Sequence, residues 1–273
     1  MSTFVSKSQQ LVPYLGLFGF NTSKPYSGTM FRFPFRRNAS QISSTIYGES
    51  IVNELREDLT KNGSRLLLFL NHVKKITFQS IRNNDSAASL QLIIERRDNS
   101  DSTRKVETHS FLSGSTTKET WFVSSHTEQL HDLYQHQNQQ SLATVACQLT
   151  EESGQFRCQP LKEGSVFCFL PLSVPSTGLP VHVSANFAVM SNRSGIWTST
   201  SSSSPSDSRE WWNLKLMEIV IPKAYCKLLK LLKDLHNSNK LVEYDFFALL
   251  LLPSNYLSSN PVSYTHLTLP TKA

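Results

Sequence analysis

Residues 177–197 read TGLPVHVSANFAVMSNRSGIW and say more about the fold than any other stretch of the chain. Gly178 and Pro180 mark a turn, because glycine permits a positive φ and proline fixes φ near about −65°. Apolar and polar side chains then alternate, which is the period of a strand with one buried face. The apolar positions are Val181, Val183, Ala185, Phe187 and Val189. A polar loop at 192–194 ends this predicted strand, and Trp197 provides an apolar anchor behind it.

Further strands are predicted where apolar runs or alternating patterns lie between turn residues. The predicted strands are residues 28–36, 65–70, 76–81, 90–94, 119–124, 143–149, 165–172, 181–190 and 245–253. In the first of them, Phe31, Phe33 and Phe35 share one face. Residues 65–70 and 76–81 are expected to pair as a hairpin. The polar stretches 83–88, 96–104 and 198–208 predict loops, and the Gln/His-rich stretch 131–140 predicts an exposed loop or a weak helix.

Two helices are predicted from apolar periodicity. The first covers residues 49–61 and ends at Asn62–Gly63, a C-cap signal. The second begins near Glu210, after a cap at Asp207 or Ser208, and carries a lysine face opposite its apolar face. Pro222 is expected to kink or break it. The fold class predicted is α+β: mixed β-sheet layers packed with a few helices, one of them a long C-terminal amphipathic helix.

The composition fits a folded protein in a reducing compartment. At 273 residues, of which 39% are hydrophobic, the chain suffices for one large domain or two modest ones. Its N-terminal sequence lacks the apolar core of a signal peptide, and no apolar run approaches the ~18–20 residues that span a bilayer. The four cysteines form no CxxC pair, which favours reduced thiols. We therefore expect a cytoplasmic protein without membrane contact.

Six short segments, in this order, resemble the repeat region of the sacsin family of very large co-chaperones. They are Gly28–Phe33, Gly164–Leu172, Gly178–Arg193, Trp212–Asn213, Ala224–Tyr225 and Tyr244–Asp245. The resemblance covers approximately residues 10–257. It implies that an intact repeat opens with an ATPase-like domain of the GHKL fold, which the heat-shock chaperones share.

The resemblance also implies a division of the chain into three parts. Residues 1–37 correspond to the terminal strand or strands of a truncated GHKL ATPase-like domain. Residues 38–257 correspond to a middle-type α+β domain of a sacsin repeat. Residues 258–273 are expected to be a non-native tail, because their end is similar to translated sequencing-adapter DNA.

The resemblance implies two cofactor-binding residues, both of which would act only in an intact repeat. Thr29 would lie near the adenine of ATP, and Arg193 would reach the γ-phosphate. The chain itself lacks the Asp-x-Gly-x-Gly turn and the second Gly-rich segment that hold nucleotide in GHKL ATPases. No cofactor is therefore expected in this chain, although ATP is possible for the intact repeat.

No catalytic residue and no metal site are predicted. The chain has no Gly-x-Ser-x-Gly elbow and no Cys-His signature, so it is not expected to be an enzyme. His126, His131 and His136 are spaced by five, which is not the spacing of a helical ligand pair.

Three functions remain open at this point. The leading one is a non-catalytic fragment of a sacsin-like chaperone that contacts protein clients or other chaperones, next to the upstream ATPase-like domain of its repeat. A second is a part of an ATP-hydrolysing GHKL module. A third is a basic module that binds nucleic acid or an anionic surface, because the net charge is +6 and residues 1–37 carry no acid. Nucleic acid is the less favoured partner, since no RNA-binding motif accompanies the basic residues.

Overall fold

This computed structural model describes residues 9–36, 38–80, 89–99, 102–132, 137–174, 177–198, 208–242 and 249. The chain divides into two compact units, Met1–Leu55 and Arg56–Ala273. The first unit contains two short 3-10 helices, Gln9–Tyr14 and Leu17–Gly19, and the start of helix α1 (Glu49–Leu68). The second contains a mixed sheet and a long C-terminal helix. The predicted α+β class is confirmed.

The described residues of the second unit form a nine-stranded sheet in the order β1-β2-β3-β4-β5-β9-β7-β8, with β6 paired to β5. The strands are β1 (Lys75–Ser80), β2 (Ser89–Asp98), β3 (Thr103–Ser110), β4 (Ser115–Asp132), β5 (Gln137–Glu152), β6 (Gln155–Gln159), β7 (Val166–Cys168), β8 (Leu170–Pro171) and β9 (His182–Ala185). Strands β1 to β5 each pair antiparallel with the next strand in sequence. The pair β7–β9 is parallel, which makes the sheet mixed.

The C-terminal helix consists of α2 (Ser208–Lys215), a π-helical turn (Leu216–Val220) and α3 (Ile221–Asn237). The π turn comes directly before Pro222, which has no N–H to donate to the preceding turn. The irregularity predicted at Pro222 is therefore present as a π turn, and the helix does not break. The predicted lysine face is also confirmed, because Lys223, Lys227, Lys230 and Lys233 are all exposed. Among the described residues, no helix combines the length and the apolar character that a bilayer crossing needs.

Both faces of the sheet are covered by buried apolar side chains. In the β4–β5 ladder, Phe122 pairs with Cys147 and belongs to the core that the C-terminal helix covers. The next pair, Val123 and Ala146, belongs to a second core that includes Leu67 at the end of α1. Because successive strand residues point to opposite faces, one strand pair supplies both cores.

Helix α1 runs through the C-cap predicted at Asn62–Gly63 and ends at Leu68. Gly63 lies inside the helix because Ile94 of β2 packs against it. A Cβ at this glycine would lie 2.0 Å from Cδ1 of Ile94. The strand predicted at 65–70 is therefore wrong, since its first residues form the buried end of α1. A short apolar run has the same pattern in a buried strand and in a buried helix end.

The strands predicted at 76–81, 90–94, 119–124 and 143–149 are confirmed within β1, β2, β4 and β5. The loop predicted at 96–104 and the loop or weak helix predicted at 131–140 are wrong over much of their length. Strand β2 continues to Asp98, and the β4–β5 ladder continues to the pair of Asp132 with Gln137. Backbone hydrogen bonds hold such a ladder together whatever the polarity of its side chains. The loop predicted at 83–88 lies outside the described residues.

The strands predicted at 165–172 and 181–190 are shorter than expected. Phe169, with a φ of 63°, separates β7 from β8. After β9, the side chain of Asn186 accepts a hydrogen bond from Leu142 N–H at 2.9 Å and donates one to the carbonyl of Gln140 at 3.1 Å. Polar side chains thus replace the strand ladder beyond residue 185, which an alternating pattern does not reveal.

The strand predicted at 28–36 is wrong, because the described residues of this segment form no ladder. Alternation decides which side chains share a face, but a strand also needs a second strand for its backbone hydrogen bonds. The loop at 198–208 lies outside the described residues except at its two ends. The strand at 245–253 lies outside them except for Leu249, which is buried. The tail 258–273 lies outside them entirely.

Candidate functional site

Six large apolar side chains between residues 31 and 47 are exposed. They are Phe31, Phe33, Phe35, Ile42, Ile46 and Tyr47, and we call them the apolar strip. Phe31, Phe33 and Ile42 are 75%, 80% and 90% exposed. The rings of Phe31 and Phe33 stack on each other, with centroids 6.3 Å apart. The first unit of the chain therefore presents a group of apolar side chains to solvent instead of burying them.

Hydrogen bonds within residues 36–47 hold the two ends of this segment together. The N–H of Tyr47 donates to the carbonyl of Arg36 at 3.0 Å, and the Arg36 guanidinium donates to the carbonyl of Ser43 at 3.2 Å. The ring of Phe35 lies 6.3 Å from that of Tyr47. The loop that carries Ile42, Ile46 and Tyr47 of the strip thus has its own hydrogen bonds. An exposed group of apolar side chains is typical of a protein-binding surface.

Thr29 is exposed in the first unit of the chain. It follows Gly28, whose φ of 142° favours glycine, and a Cβ there would lie 3.4 Å from the ring of Tyr26. The backbone before Thr29 therefore favours glycine at this position.

Arg193 lies in the second unit, at the polar turn that follows β9. Its backbone is left-handed, with a φ of 57°, and its N–H donates to the carbonyl of Met190 at 2.8 Å. Its guanidinium donates to the carbonyl of Cys168 at 3.0 Å. The residue is exposed, and the hydrogen bond described for its guanidinium goes to a backbone carbonyl. Because a backbone carbonyl is neutral, this hydrogen bond leaves the positive charge of Arg193 uncompensated, so the guanidinium can still bind an anionic group.

A cluster of charged side chains at the end of α1 was missed by the sequence reasoning. Arg96 of β2 is 3% exposed and donates to the carbonyls of Leu67 and Leu70. Arg104 of β3 donates to the carbonyl of Leu68. These carbonyls end a helix, where partial negative charge gathers and cations are stabilising. The available signal was alternation, because Arg96 continues the buried positions of β2.

Asp98 is the carboxylate of this cluster. Its oxygens lie 2.9 Å from Lys74 Nζ and 2.9 Å from Arg96 Nε. Burial acts to raise the pKa of Asp98, but the Lys74 hydrogen bond and the charges of Arg96 and Arg104 together hold that pKa below its usual value. Burial lowers the pKa of Arg104, and the charge of Arg96 lowers it further. The cluster therefore contains more positive than negative charge.

His182, which lies within residues 177–197, is buried in β9. Its ring lies 5.1 Å from that of Trp121 and 5.3 Å from that of Phe167. Its Nδ1 accepts a hydrogen bond from Ser165 N–H at 3.0 Å. Burial, together with the charge of Arg65, lowers the pKa of His182 to about 4. A neutral, enclosed imidazole of this kind packs in the core and holds a backbone N–H.

Of the three histidines considered as metal ligands, His126 and His131 lie on β4. His126 Nε2 is 3.5 Å from Glu128, which binds Lys223 Nζ at 2.7 Å. His131 is exposed, and His136 lies outside the described residues. Within the described ranges, no three His, Cys, Asp or Glu side chains come together as a metal site. Lys223, one of the residues on the predicted lysine face of the C-terminal helix, thus already has a carboxylate partner.

Comparisons with known proteins found similarity over part of the chain. Residues 1–92 match the family model described as the Sacsin domain. The chain is 41% identical to human sacsin over 104 residues, which are 38% of this chain and 2% of sacsin. This part of the chain is therefore similar to the Sacsin domain. The predicted resemblance to sacsin is confirmed, and no solved structure matches the chain.

Of the two predicted cofactor-binding residues, one lies inside the segment that matches the Sacsin domain and the other lies outside it. Thr29 and the whole apolar strip fall within residues 1–92, whereas Arg193 does not. The extension of the sacsin resemblance to residue 257, and the role that it implies for Arg193, therefore stay predictions. The chain spans about 2% of the length of sacsin, so it corresponds to a small part of that protein.

Proposed function

We propose that this chain is a non-catalytic part of a sacsin-like chaperone or co-chaperone, and that its apolar strip binds unfolded segments of client proteins. The observation that carries the proposal is the exposure of Phe31, Phe33 and Ile42 inside the segment that matches the Sacsin domain. Unfolded chains expose apolar side chains, and burying these against the strip would release about 25 cal/mol per Å² of apolar area. No nucleotide is needed for such binding.

Two further features support client binding. Three side chains of the strip, Ile42, Ile46 and Tyr47, lie on a loop with its own hydrogen bonds, so little order has to be created there when a client binds. Its aromatic rings supply large contact areas with few rotatable bonds, as protein-binding surfaces commonly do. The proposed setting is the cytoplasm, beside the ATPase-like domain of the same repeat.

The test is suppression of aggregation of a heat-unfolded client by the full chain, without ATP. The double variant Phe31→Ser with Phe33→Ser is expected to lose most of the suppression. A matched control is Phe111→Ser with Leu112→Ser, at the exposed turn between β3 and β4, where the same kinds of side chain are 54% and 60% exposed. Equal loss in both double variants would count against the strip, and no suppression by the unaltered chain would remove the proposal.

A second candidate is participation in ATP hydrolysis by an intact repeat. It is favoured by Arg193, an exposed arginine whose guanidinium is anchored to a backbone carbonyl and whose left-handed backbone is unusual for a side chain of this size. An arginine that meets the γ-phosphate stabilises the charge of the transition state. In a fusion with the upstream domain, Arg193→Ala should lower turnover by at least ~10-fold, and Arg157→Ala is the control. An unchanged rate would exclude this role.

A further inference from the structure

A cleft of about 370 Å³ opens beside β4, close to the residue at which β3 begins. The β3–β4 ladder starts at the pair Thr103–Phe122, whereas β4 continues to Asp132. Residues that precede β3 and the side chain of Lys227 on α3 line this space along β4. We call it the β3–β4 cleft, and its lining includes six residues with polar or charged side chains that bear on what the cleft can bind. They are Asp98, Asn99, Thr103, Arg104, Ser124 and Lys227.

Positive charge exceeds negative charge around this cleft. Asp98 is shared by Lys74, Arg96 and Arg104, at 2.9, 2.9 and 3.8 Å. Lys227 adds a fourth cation, and its Nζ donates to the backbone carbonyl of Ser125 at 3.0 Å. The end of α1 offsets only about half an elementary charge. The described groups thus leave the cleft net positive, which favours an anion.

One buried hydroxyl of the cleft has no hydrogen-bond partner among the described residues. Ser124 is 2% exposed, and its Oγ is among the buried polar atoms that lack a partner. Leaving a hydroxyl in this state costs about 1–3 kcal/mol, so such groups are rare outside binding sites. The neighbouring Ser125 hydroxyl, in contrast, is bonded to Thr144 at 2.9 Å.

We infer that the β3–β4 cleft binds a small anion of the phosphate class. The groups that would bind it are the ammonium of Lys227 and the hydroxyl of Ser124. The guanidinium of Arg104, which bonds the Leu68 carbonyl and lies beside Asp98, adds positive charge next to the cleft. Asn99 and Thr103 provide two further hydrogen-bond donors on the cleft wall. The carboxylate of Asp98 is already compensated by Lys74 and Arg96, and therefore does not cancel the attraction.

Phosphate fits these donors better than a carboxylate does. The donors lie on β4, on α3 and on the residues around the start of β3, so they surround the cleft on several sides. A tetrahedral phosphate has oxygens that face several directions, whereas a carboxylate presents two oxygens in one plane. A hydrogen bond from the Lys227 ammonium to a phosphate oxygen is also of the stronger, charge-assisted kind.

The test is titration of the full chain with inorganic phosphate at low salt, followed by calorimetry and by the thermal unfolding midpoint. Saturable binding is expected, with a rise of the midpoint as phosphate is added. Lys227→Ala should weaken binding by about 10-fold, which is the usual effect of losing a hydrogen bond to a charged group. The matched control is Lys230→Ala on the same helix, which should change the affinity by less than ~2-fold.

A second variant separates ligand binding from folding. Ser124→Ala removes a hydroxyl that has no partner in the free protein, so its unfolding midpoint without phosphate should equal or exceed that of the unaltered chain. Its phosphate affinity should nevertheless fall by several-fold. Unchanged affinity in both Lys227→Ala and Ser124→Ala would overturn the inference, as would an equal loss in Lys230→Ala.

Three ligands distinguish the possible sources of the anion. Inorganic phosphate represents the free ion, AMP represents a phosphate ester and acetate represents a carboxylate. Tighter binding of phosphate than of AMP would support the free ion, and the reverse would support an ester; both outcomes support the phosphate class. Acetate binding as tight as phosphate, or no saturable binding of phosphate at millimolar concentration, would overturn it.

Discussion

Replacement of Gly63 by alanine tests the contact between Gly63 and Ile94. At this contact, helix α1 continues beyond the end that was predicted at Asn62–Gly63. Gly63 is buried, and the side chain of Ile94 packs directly onto its Cα. A Cβ at this position would lie 2.0 Å from Cδ1 and 3.3 Å from Cγ1 of Ile94. Ile94 is itself fully buried, so both of these atoms would have to move within a packed core.

Two opposing effects set the size of the change. Alanine is favoured over glycine inside a helix by about 1 kcal/mol, which would stabilise the protein. Forcing an extra methyl group into a packed core costs about 1–3 kcal/mol. Since the first contact is far below a normal van der Waals distance, we expect the second effect to dominate. The free energy of unfolding should therefore fall by about 1 kcal/mol in Gly63→Ala.

The assay is urea unfolding of four proteins: the unaltered chain, Gly63→Ala, Ile94→Val and the double variant. Ile94→Val removes Cδ1 and should cost about 0.5–1.5 kcal/mol on its own. With Cδ1 gone, Gly63→Ala should become stabilising by up to about 1 kcal/mol, its helix-propensity gain. The two sites should then show a coupling energy of about 2 kcal/mol. Identical effects of Gly63→Ala in both backgrounds would show that the contact with Ile94 does not exist.

Three further predictions concern the charged and titratable groups. The pKa of His182 is about 4 in the folded chain, against an ordinary value of 6.5, so below pH 6.5 the unfolded chain binds a proton that the folded chain lacks. The free energy of unfolding should therefore fall by up to about 3 kcal/mol as the pH is lowered from 6.5 to 4. Urea unfolding measured at several pH values should show a flatter dependence for His182→Phe. Arg96→Lys should lower the free energy of unfolding by about 2 kcal/mol, because one lysine ammonium cannot replace a guanidinium that bonds two carbonyls through Nη1 and Asp98 through its other nitrogens. The exposed Arg97→Lys should leave chemical unfolding unchanged. A double-mutant cycle on Lys223 and Glu128 should give less than ~1 kcal/mol, since both side chains are partly exposed, and a larger coupling would contradict this.

The sequence predicted those elements that rest on local periodicity. The C-terminal helix was foreseen because its apolar and lysine positions follow the helical repeat, and Pro222 marked its irregularity. The central parts of β4 and β5 were foreseen because apolar residues cluster within 119–124 and within 143–149. In each of these cases the pattern of apolar residues within the segment's own sequence predicts which side chains are buried.

The elements that were missed depend on contacts between distant residues. Gly63 has the signal of a helix end, but Ile94 makes it a packing position. The ladder that pairs Asp132 with Gln137 is held by backbone hydrogen bonds, so its polar side chains give no strand signal. Arg96 is buried only because the end of α1 supplies carbonyls for it. Periodicity within one segment carries no information about such partners.

For the candidate site, the sequence placed Phe31, Phe33 and Phe35 on one face but assigned that face to a strand. No strand among the described residues pairs with this segment, so its side chains stay exposed. Whether a segment finds a pairing strand cannot be read from its own sequence. The charged cluster around Asp98 was taken for a polar loop, since its residues come from two strands and a helix end.

The most direct measurement of client binding is site-specific photo-cross-linking. A photoreactive phenylalanine is placed at position 33 in one protein and at position 111 in another, and each full chain is irradiated with an unfolding client in the absence of ATP. Both positions are exposed phenylalanines, so they differ in whether they belong to the apolar strip. We predict client adducts at position 33 and few at position 111. Adducts at position 111 alone, or at neither position while aggregation is still suppressed, would contradict binding through the apolar strip.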